Sequence, residues 1–128
     1  MRPDDRSYTE SHEWARLDGD LVTVGITDFA VQQLGEIVFL DLPAAGTTVQ
    51  KGESFGEVES VKAVSDLYAP VAGEIVEVNA PLTEDQTALQ EDPLGAGWLL
   101  KLRVADPATA LEGLLDAAAY ERHVAEAS

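Results

Sequence analysis

Asp18-Gly19-Asp20 stands between two runs in which apolar and polar residues alternate, His12 to Leu17 and Leu21 to Ile26. Asp-Gly suits the positive backbone angles of a tight hairpin turn, and alternation marks a strand with one buried face. An antiparallel hairpin therefore opens the chain. Thr27 or Asp28 then caps a short helix over 29–34, which stops at Gly35. Residues 36–42 read as a strand with Ile37, Val38, Phe39 and Leu40 as its apolar centre, and 43–46 as a turn. From there the pattern is β: a short strand at 48–50, a turn at Lys51-Gly52, strands at 54–60 and 63–68, a turn at 70–73 and a strand at 74–79. Residues 81–96 are loop-like and acidic, and 98–104 form the last strand.

The C-terminal part changes period. Asp106-Pro107 is an N-cap followed by proline at the first helical position, and Leu111, Leu114, Leu115, Ala118 and Ala119 recur at helical spacing. Asp116 offers a second cap for a helix running to about 125, and Gly113 is a point of interruption. The expectation is one domain over 1–128, with a β core at about 7–105 and a helical segment at about 107–126 packed on it. Residues 1–6 are expected to fray, with Tyr8 starting the ordered part. Trp14 and Trp98 are read as core residues.

Within the β region one stretch stands out. Gly56 to Asp66 reads GEVESVKAVSD and puts Lys62 between two short apolar-polar runs, among the small or β-branched residues Ser60, Val61, Ala63, Val64 and Ser65. This predicts a hairpin with Lys62 at or near its tip, although no Asn-Gly or Asp-Gly marks the turn. Glu57, Glu59 and Asp66 lie within a few residues and favour the charged ammonium. A Schiff-base or general-base lysine needs desolvation or a neighbouring cation instead. Lys62 thus suits attachment of a group by another enzyme better than catalysis, against the ordinary alternative of a solvated turn lysine.

Charge and composition narrow the partners. The net charge is −16, from 24 acidic and 8 basic residues, which disfavours nucleic acid and anionic membrane surfaces and attracts basic protein surfaces. Solvation and solubility account for such a surface equally well. There are no cysteines, so disulfides and thiolate metal sites are excluded and any redox chemistry must be brought by an added group. MRPDDRSYTE has neither the apolar stretch of a secretory signal nor the composition of a transit peptide. A cytoplasmic protein is expected, with a processed organellar chain as the other option. His12-Glu13-Trp14 invites a metal reading, but the second histidine of a zinc motif would fall at Arg16, and no metal is expected. His12 is otherwise a strand-edge residue bonded locally.

The segment ESVKA around Lys62, then SD, then APVAGEI resembles the lipoyl-attachment region of the glycine cleavage H-protein family. The resemblance extends over nearly the whole chain: SHEW from Ser11, VGIT from Val24, LGEIVFLDLP from Leu34, EVN from Glu77, and DP with GW between Asp92 and Trp98. It implies an α+β, mostly β fold: a flattened β-barrel or sandwich of the lipoyl type, with a short helix and a C-terminal helix. GEVES at Gly56 and GEIVEV at Gly73 match the quasi-symmetric halves of such domains. Lipoate rather than biotin is implied on Lys62, because biotin-acceptor lysines sit between methionines and Met1 is the one methionine here.

What the resemblance implies is a carrier, not an enzyme. Lipoyl-Lys62 would receive an aminomethyl group from the pyridoxal-phosphate-dependent glycine decarboxylase (P protein) and pass its one-carbon unit to tetrahydrofolate at the aminomethyltransferase (T protein). Dihydrolipoyl dehydrogenase (L protein) would reoxidise it, and lipoyl-attaching enzymes would install it. Ser11, Glu13 and Asp66 correspond to residues lining a cleft that receives the loaded arm; as a plain surface strand residue, Glu13 would instead do little. Glu57, Glu59 and Ser60 are the context read by lipoylation and docking. The carrier is expected to be a monomer. Gln33, Gln86, Gln90 and Leu94 depart from the family pattern near the arm. Two other readings stay open: an H-like lipoate carrier of another pathway, such as lipoate relay or sulfur oxidation, and an unmodified β-rich interaction domain.

Overall fold

The Asp18-Gly19 turn closes strand β2 (Glu13–Asp18) onto β3 (Leu21–Ile26), antiparallel from Glu13 opposite Ile26 to Asp18 opposite Leu21. In the computed structural model, which describes residues 2–127, this hairpin begins a six-stranded sheet. Its other members are β1 (Ser7–Tyr8), β5 (Thr48–Val49), β8 (Gly73–Val78) and β9 (Leu100–Arg103), in the order β1-β2-β3-β9-β8-β5. A three-stranded sheet, β4-β6-β7, is built from β4 (Ile37–Asp41), β6 (Ser54–Ser60) and β7 (Val64–Tyr68). The two sheets face each other as a flattened sandwich, with no closed barrel.

The alternation read in the sequence supplies the core. Val22, Val24, Ile75, Leu100 and Leu102 of the larger sheet and Leu40, Val58 and Leu67 of the smaller one are buried in one cluster. Each such side chain contributes about 1.5–3 kcal/mol relative to exposure. A register shift between Ile37 and Phe39 keeps Ile37 and Leu40 inside and turns Val38 and Phe39 out, 48% and 46% exposed. Helix α1 (Asp28–Leu34) starts at Thr27, whose hydroxyl accepts the Ala30 N–H, and stops at Gly35, whose φ of 81° favours glycine.

Three expectations need correction. The segment 81–96 is not all loop: Ala80–Thr83 forms a 3-10 turn and Thr87–Glu91 a short helix, α2. Both are too short to show a period, and burial of Leu82 and Leu89 holds them. The expectation of fraying over 1–6 fails at residues 2–6, and Met1 lies outside the described residues. Arg2 pairs with Asp28 at 2.7 Å and Glu121 at 2.6 Å, and Arg6 lies 4.6 Å over the Trp14 ring while donating to the Leu94 carbonyl.

The third correction is at the C-terminus, where the α-helix α3 (Ala117–Ala127) begins well after Pro107. Residues 106–114 form successive turns with i to i+3 bonds, Gly113 has φ 84°, and Leu115 is drawn into a bridge with Tyr8, bonded both ways at 2.7 and 2.8 Å. That bridge is incompatible with a continuous helix. The Asp116 cap holds as expected, its carboxylate accepting the Ala119 N–H at 2.7 Å. Tyr120 stacks on Tyr8 at 4.8 Å and shares a second buried cluster with Trp14, while Trp98 is half-buried against that cluster. Among the described residues no helix is long and apolar enough to cross a membrane.

Candidate functional site, a lysine hairpin beside a cleft

Lys62 sits at the tip between β6 and β7, exposed to solvent. The turn needs no glycine, since none of Ser60, Val61, Lys62 and Ala63 has a positive φ, and the Ser60 side chain closes it. Its hydroxyl accepts the N–H groups of Lys62 at 3.3 Å and Ala63 at 3.1 Å, and the Ser60 N–H donates to the Ala63 carbonyl at 2.8 Å. A further bond from the Val61 N–H to the Glu36 carbonyl, 3.0 Å, ties the tip to the end of α1. The Lys62 side chain runs over Gly35, where a Cβ would meet its Cε at 3.5 Å. Gln90 fixes that corner: its amide donates to the Gly35 carbonyl at 3.0 Å and its Oε1 accepts the Ile37 N–H at 2.8 Å. Lys62 itself takes part in none of the salt bridges among the described residues.

Beside the hairpin lies a cleft of about 130 Å³ bounded by Ser11, Glu13, Gln33, Val58, Ser65 and Asp66, among others. The structure thus brings Ser11, Glu13 and Asp66 together, from the turn before β2, the start of β2 and β7. Their roles differ. Glu13 is buried, 2% exposed, so it is not a plain surface residue. Its Oε1 accepts from the hydroxyls of Ser11 at 2.6 Å and Thr9 at 2.7 Å, and Oε2 accepts the Tyr68 N–H of edge strand β7 at 3.4 Å. Burial pushes the Glu13 carboxyl above the ordinary glutamate range, and the hydrogen bonds from Ser11, Thr9 and Tyr68 pull against it. Asp66 is exposed and pairs with Glu57, while Ser65 pairs with the buried Val58. Side chains alternate along a strand, so Ser65 shares the inner face with Leu67 and Asp66 stands with Glu57 on the outer one.

Ser65 and Thr9 were not singled out in the sequence as site residues, and Gln90 only as a departure from the family pattern. Parity with the apolar Leu67 would have found Ser65; Thr9 acts locally, within four residues of Glu13, whereas the role of Gln90 depends on contacts across the fold. Glu57 is exposed and Glu59 half-buried on the outer face of the smaller sheet, and Ser60 is buried in the turn it staples. The His12 N–H is bonded locally, to the Thr9 carbonyl, but its ring is bonded across the chain, Nδ1 lying 2.8 Å from the Tyr120 hydroxyl. A larger cleft of about 330 Å³, lined by Tyr8, Lys51, Tyr68 and Leu114 among others, lies against the same Ser11–Glu13 segment.

Comparison with known proteins agrees with this geometry. The glycine cleavage H-protein family model matches residues 6–127. The chain is 52% identical over 124 residues to a glycine cleavage system H protein of Anaeromyxobacter sp. (strain K), covering 97% of this chain and 96% of the relative. It is 58% identical over 117 residues to one from Synechococcus sp. (strain CC9902), covering 91% and 90%. A crystal structure of a glycine cleavage system H protein from Mycobacterium marinum superposes with a TM-score of 0.85 at 46% identity, covering 98% of each chain. The chain belongs to the glycine cleavage H-protein family, lipoyl carriers of glycine cleavage rather than enzymes.

Proposed function

We propose that Lys62 is the lipoyl attachment site, and that the chain carries the aminomethyl group from glycine decarboxylase to aminomethyltransferase, with reoxidation by dihydrolipoyl dehydrogenase. The observation that carries this is the placement of Lys62: a solvent-facing amine at a stapled hairpin tip beside a cleft with a buried carboxylate. The other lysines lack that setting. Lys101 lies within β9, 3.8 Å from Glu77 and 5.1 Å from the Trp98 ring, and Lys51 lies in the turn after β5. The dithiolane supplies the sulfur chemistry when attached; the chain supplies reach, docking and shelter. Tethering keeps the carried group at high effective concentration at each partner in turn.

The residues around the cleft fit the sheltering part. A protonated aminomethyl group is cationic, and the Glu13 carboxylate, held by Ser11 and Thr9, is placed to accept from it. Enclosure also keeps water from the carried carbon. Docking has its own support. The exposed large hydrophobic residues Val38, Phe39, Val61, Val64 and Tyr68 all lie on β4 and the Lys62 hairpin. On the outer face of that sheet Asp41 pairs with Glu57 and Glu57 with Asp66, an acidic row beside the apolar residues. A partner with an apolar centre and basic rim fits it. We read the setting as cytoplasmic and the carrier as monomeric.

The test is the intact mass of protein made in a host with lipoyl-attaching enzymes, followed by peptide mapping. One lipoyl group on Lys62 is expected, with Lys51 and Lys101 unmodified. Lys62→Arg should keep the fold and lose glycine–bicarbonate exchange. A fully active Lys62→Arg protein would overturn the assignment.

A further inference from the structure

We propose that Tyr120 is a positioning residue of the cleft: through the His12 ring its hydroxyl clamps the turn at 9–13, so that α3 sets how Ser11 and Glu13 face the carried group. The proposal rests on the sheltering role given to the cleft above.

The turn is held in an uncommon conformation. His12 has φ 75°, the one positive value at a non-glycine residue among the described residues. Its N–H donates to the Thr9 carbonyl at 3.1 Å, and its carbonyl accepts the Thr27 N–H at 2.9 Å. The same turn carries Ser11 and Glu13, with the Glu13 N–H donating to the Thr9 hydroxyl at 3.0 Å. An off-region backbone persists only where its surroundings over-determine it. Here the side chain provides the constraint: His12 Nδ1 lies 2.8 Å from the Tyr120 hydroxyl, which lies 2.7 Å from Thr27 Oγ1.

The protons in this chain have one consistent order. Thr27 is fully buried, and its oxygen already accepts the Ala30 N–H at the start of α1. Every hydroxyl proton finds an acceptor when Thr27 donates to Tyr120 and Tyr120 donates to His12 Nδ1. A protonated His12 would reverse the order and leave the Thr27 proton with no second acceptor among the described hydrogen bonds. This order favours a neutral His12 with its proton on Nε2. Its neighbours agree: the Phe29 ring of α1, His123 and Tyr120 of α3, and Arg2, which is itself paired with Asp28 and Glu121. Burial, then His123 and Arg2, lower the His12 imidazole below its ordinary value. One hydroxyl on α3 thus ties together the cap of α1, the cleft turn and the C-terminal helix.

The experiment compares full-length wild type, Tyr120→Phe and His12→Asn, before and after lipoylation. Phenylalanine retains the ring stacked on Tyr8 and removes only the clamp; asparagine tolerates positive φ but cannot make the same imidazole bond. In Tyr120→Phe, amide exchange at Thr9, His12 and Thr27 should rise roughly fivefold, the scale of one neutral hydrogen bond, with Val22 and Val24 unchanged. The His12 imidazole, followed by NMR, should titrate closer to its ordinary value. His12→Asn should loosen the same amides. Unchanged exchange and an unchanged His12 titration in Tyr120→Phe would overturn the clamp, as would unchanged exchange in His12→Asn. Decay of the aminomethylated protein is read separately. Faster decay in Tyr120→Phe supports both readings; loosened amides with unaltered decay support the clamp and remove the sheltering role of the cleft.

Discussion

Glu13 shows what the proposed sheltering role would take from the stability of the fold. Its carboxyl is raised above the ordinary range, so folding favours its protonated form. That contribution is fully present below the unfolded value of 4.5 and is lost as pH rises through the raised folded value. At neutral pH the ionised group is therefore a burden that the bonds from Ser11, Thr9 and Tyr68 offset in part. Glu13→Gln does not titrate, so urea unfolding should show its stability relative to wild type improving from pH 4 to about pH 7. The same change should leave the carried ammonium without a charged acceptor. Glu13→Ala removes the acceptor outright: about 1.5–3 kcal/mol, or roughly tenfold to a hundredfold faster release of formaldehyde and ammonia from loaded protein. Asp66→Asn should change that rate less, because Asp66 stands with Glu57 on the outer face. Equal decay rates in wild type and Glu13→Ala would remove Glu13 from the sheltering role.

At the scale of elements, the lysine hairpin depends on Ser60 rather than on a glycine turn. Ser60→Ala deletes the acceptor of the Lys62 and Ala63 N–H groups, a loss comparable to a missing helix cap, about 1 kcal/mol. A lower urea midpoint with unchanged slope is expected, together with slower lipoylation, because Lys62 is then presented by a looser tip. The hairpins, the strands after β1, the Thr27 cap and the Gly35 stop were legible because each rests on local chemistry: alternation, turn residues and caps. So was the Lys62 tip. What escaped depends on distant partners. Nothing near Arg2 in sequence announces Asp28 or Glu121, and Leu115 leaves its helical pattern to pair with Tyr8. The cleft was legible in part: Ser11, Glu13 and Asp66 do converge, but the burial of Glu13 and the outward place of Asp66 follow from strand packing and register.

At the scale of the whole molecule, the excess of negative charge sets stability against docking. Of 8 basic residues, Arg2, Arg6, Lys101 and Arg103 are engaged in salt bridges, against a net charge of −16. Across the smaller sheet Asp41, Glu57 and Asp66 stand directly opposite one another in adjacent strands. Like charges so placed repel, and a sheet bearing them is less stable than one with mixed pairs. Salt screens such exposed charges, with a Debye length falling from about 30 Å at 0.01 M to about 8 Å at 0.15 M. Raising salt across that range should therefore raise the urea midpoint of the free protein. If basic partner surfaces read the same row, it should at the same time slow lipoylation of Lys62 and weaken association with the partner enzymes. The two effects have opposite signs and one origin. Glu59→Lys, beside the row and opposite Val64, should weaken the salt dependence of lipoylation and slow it at low salt, with little change in stability. Lipoylation rates that stay flat with salt in wild type and unaltered in Glu59→Lys would show that the attaching enzyme reads the shape of the hairpin and its apolar residues, and not its charge.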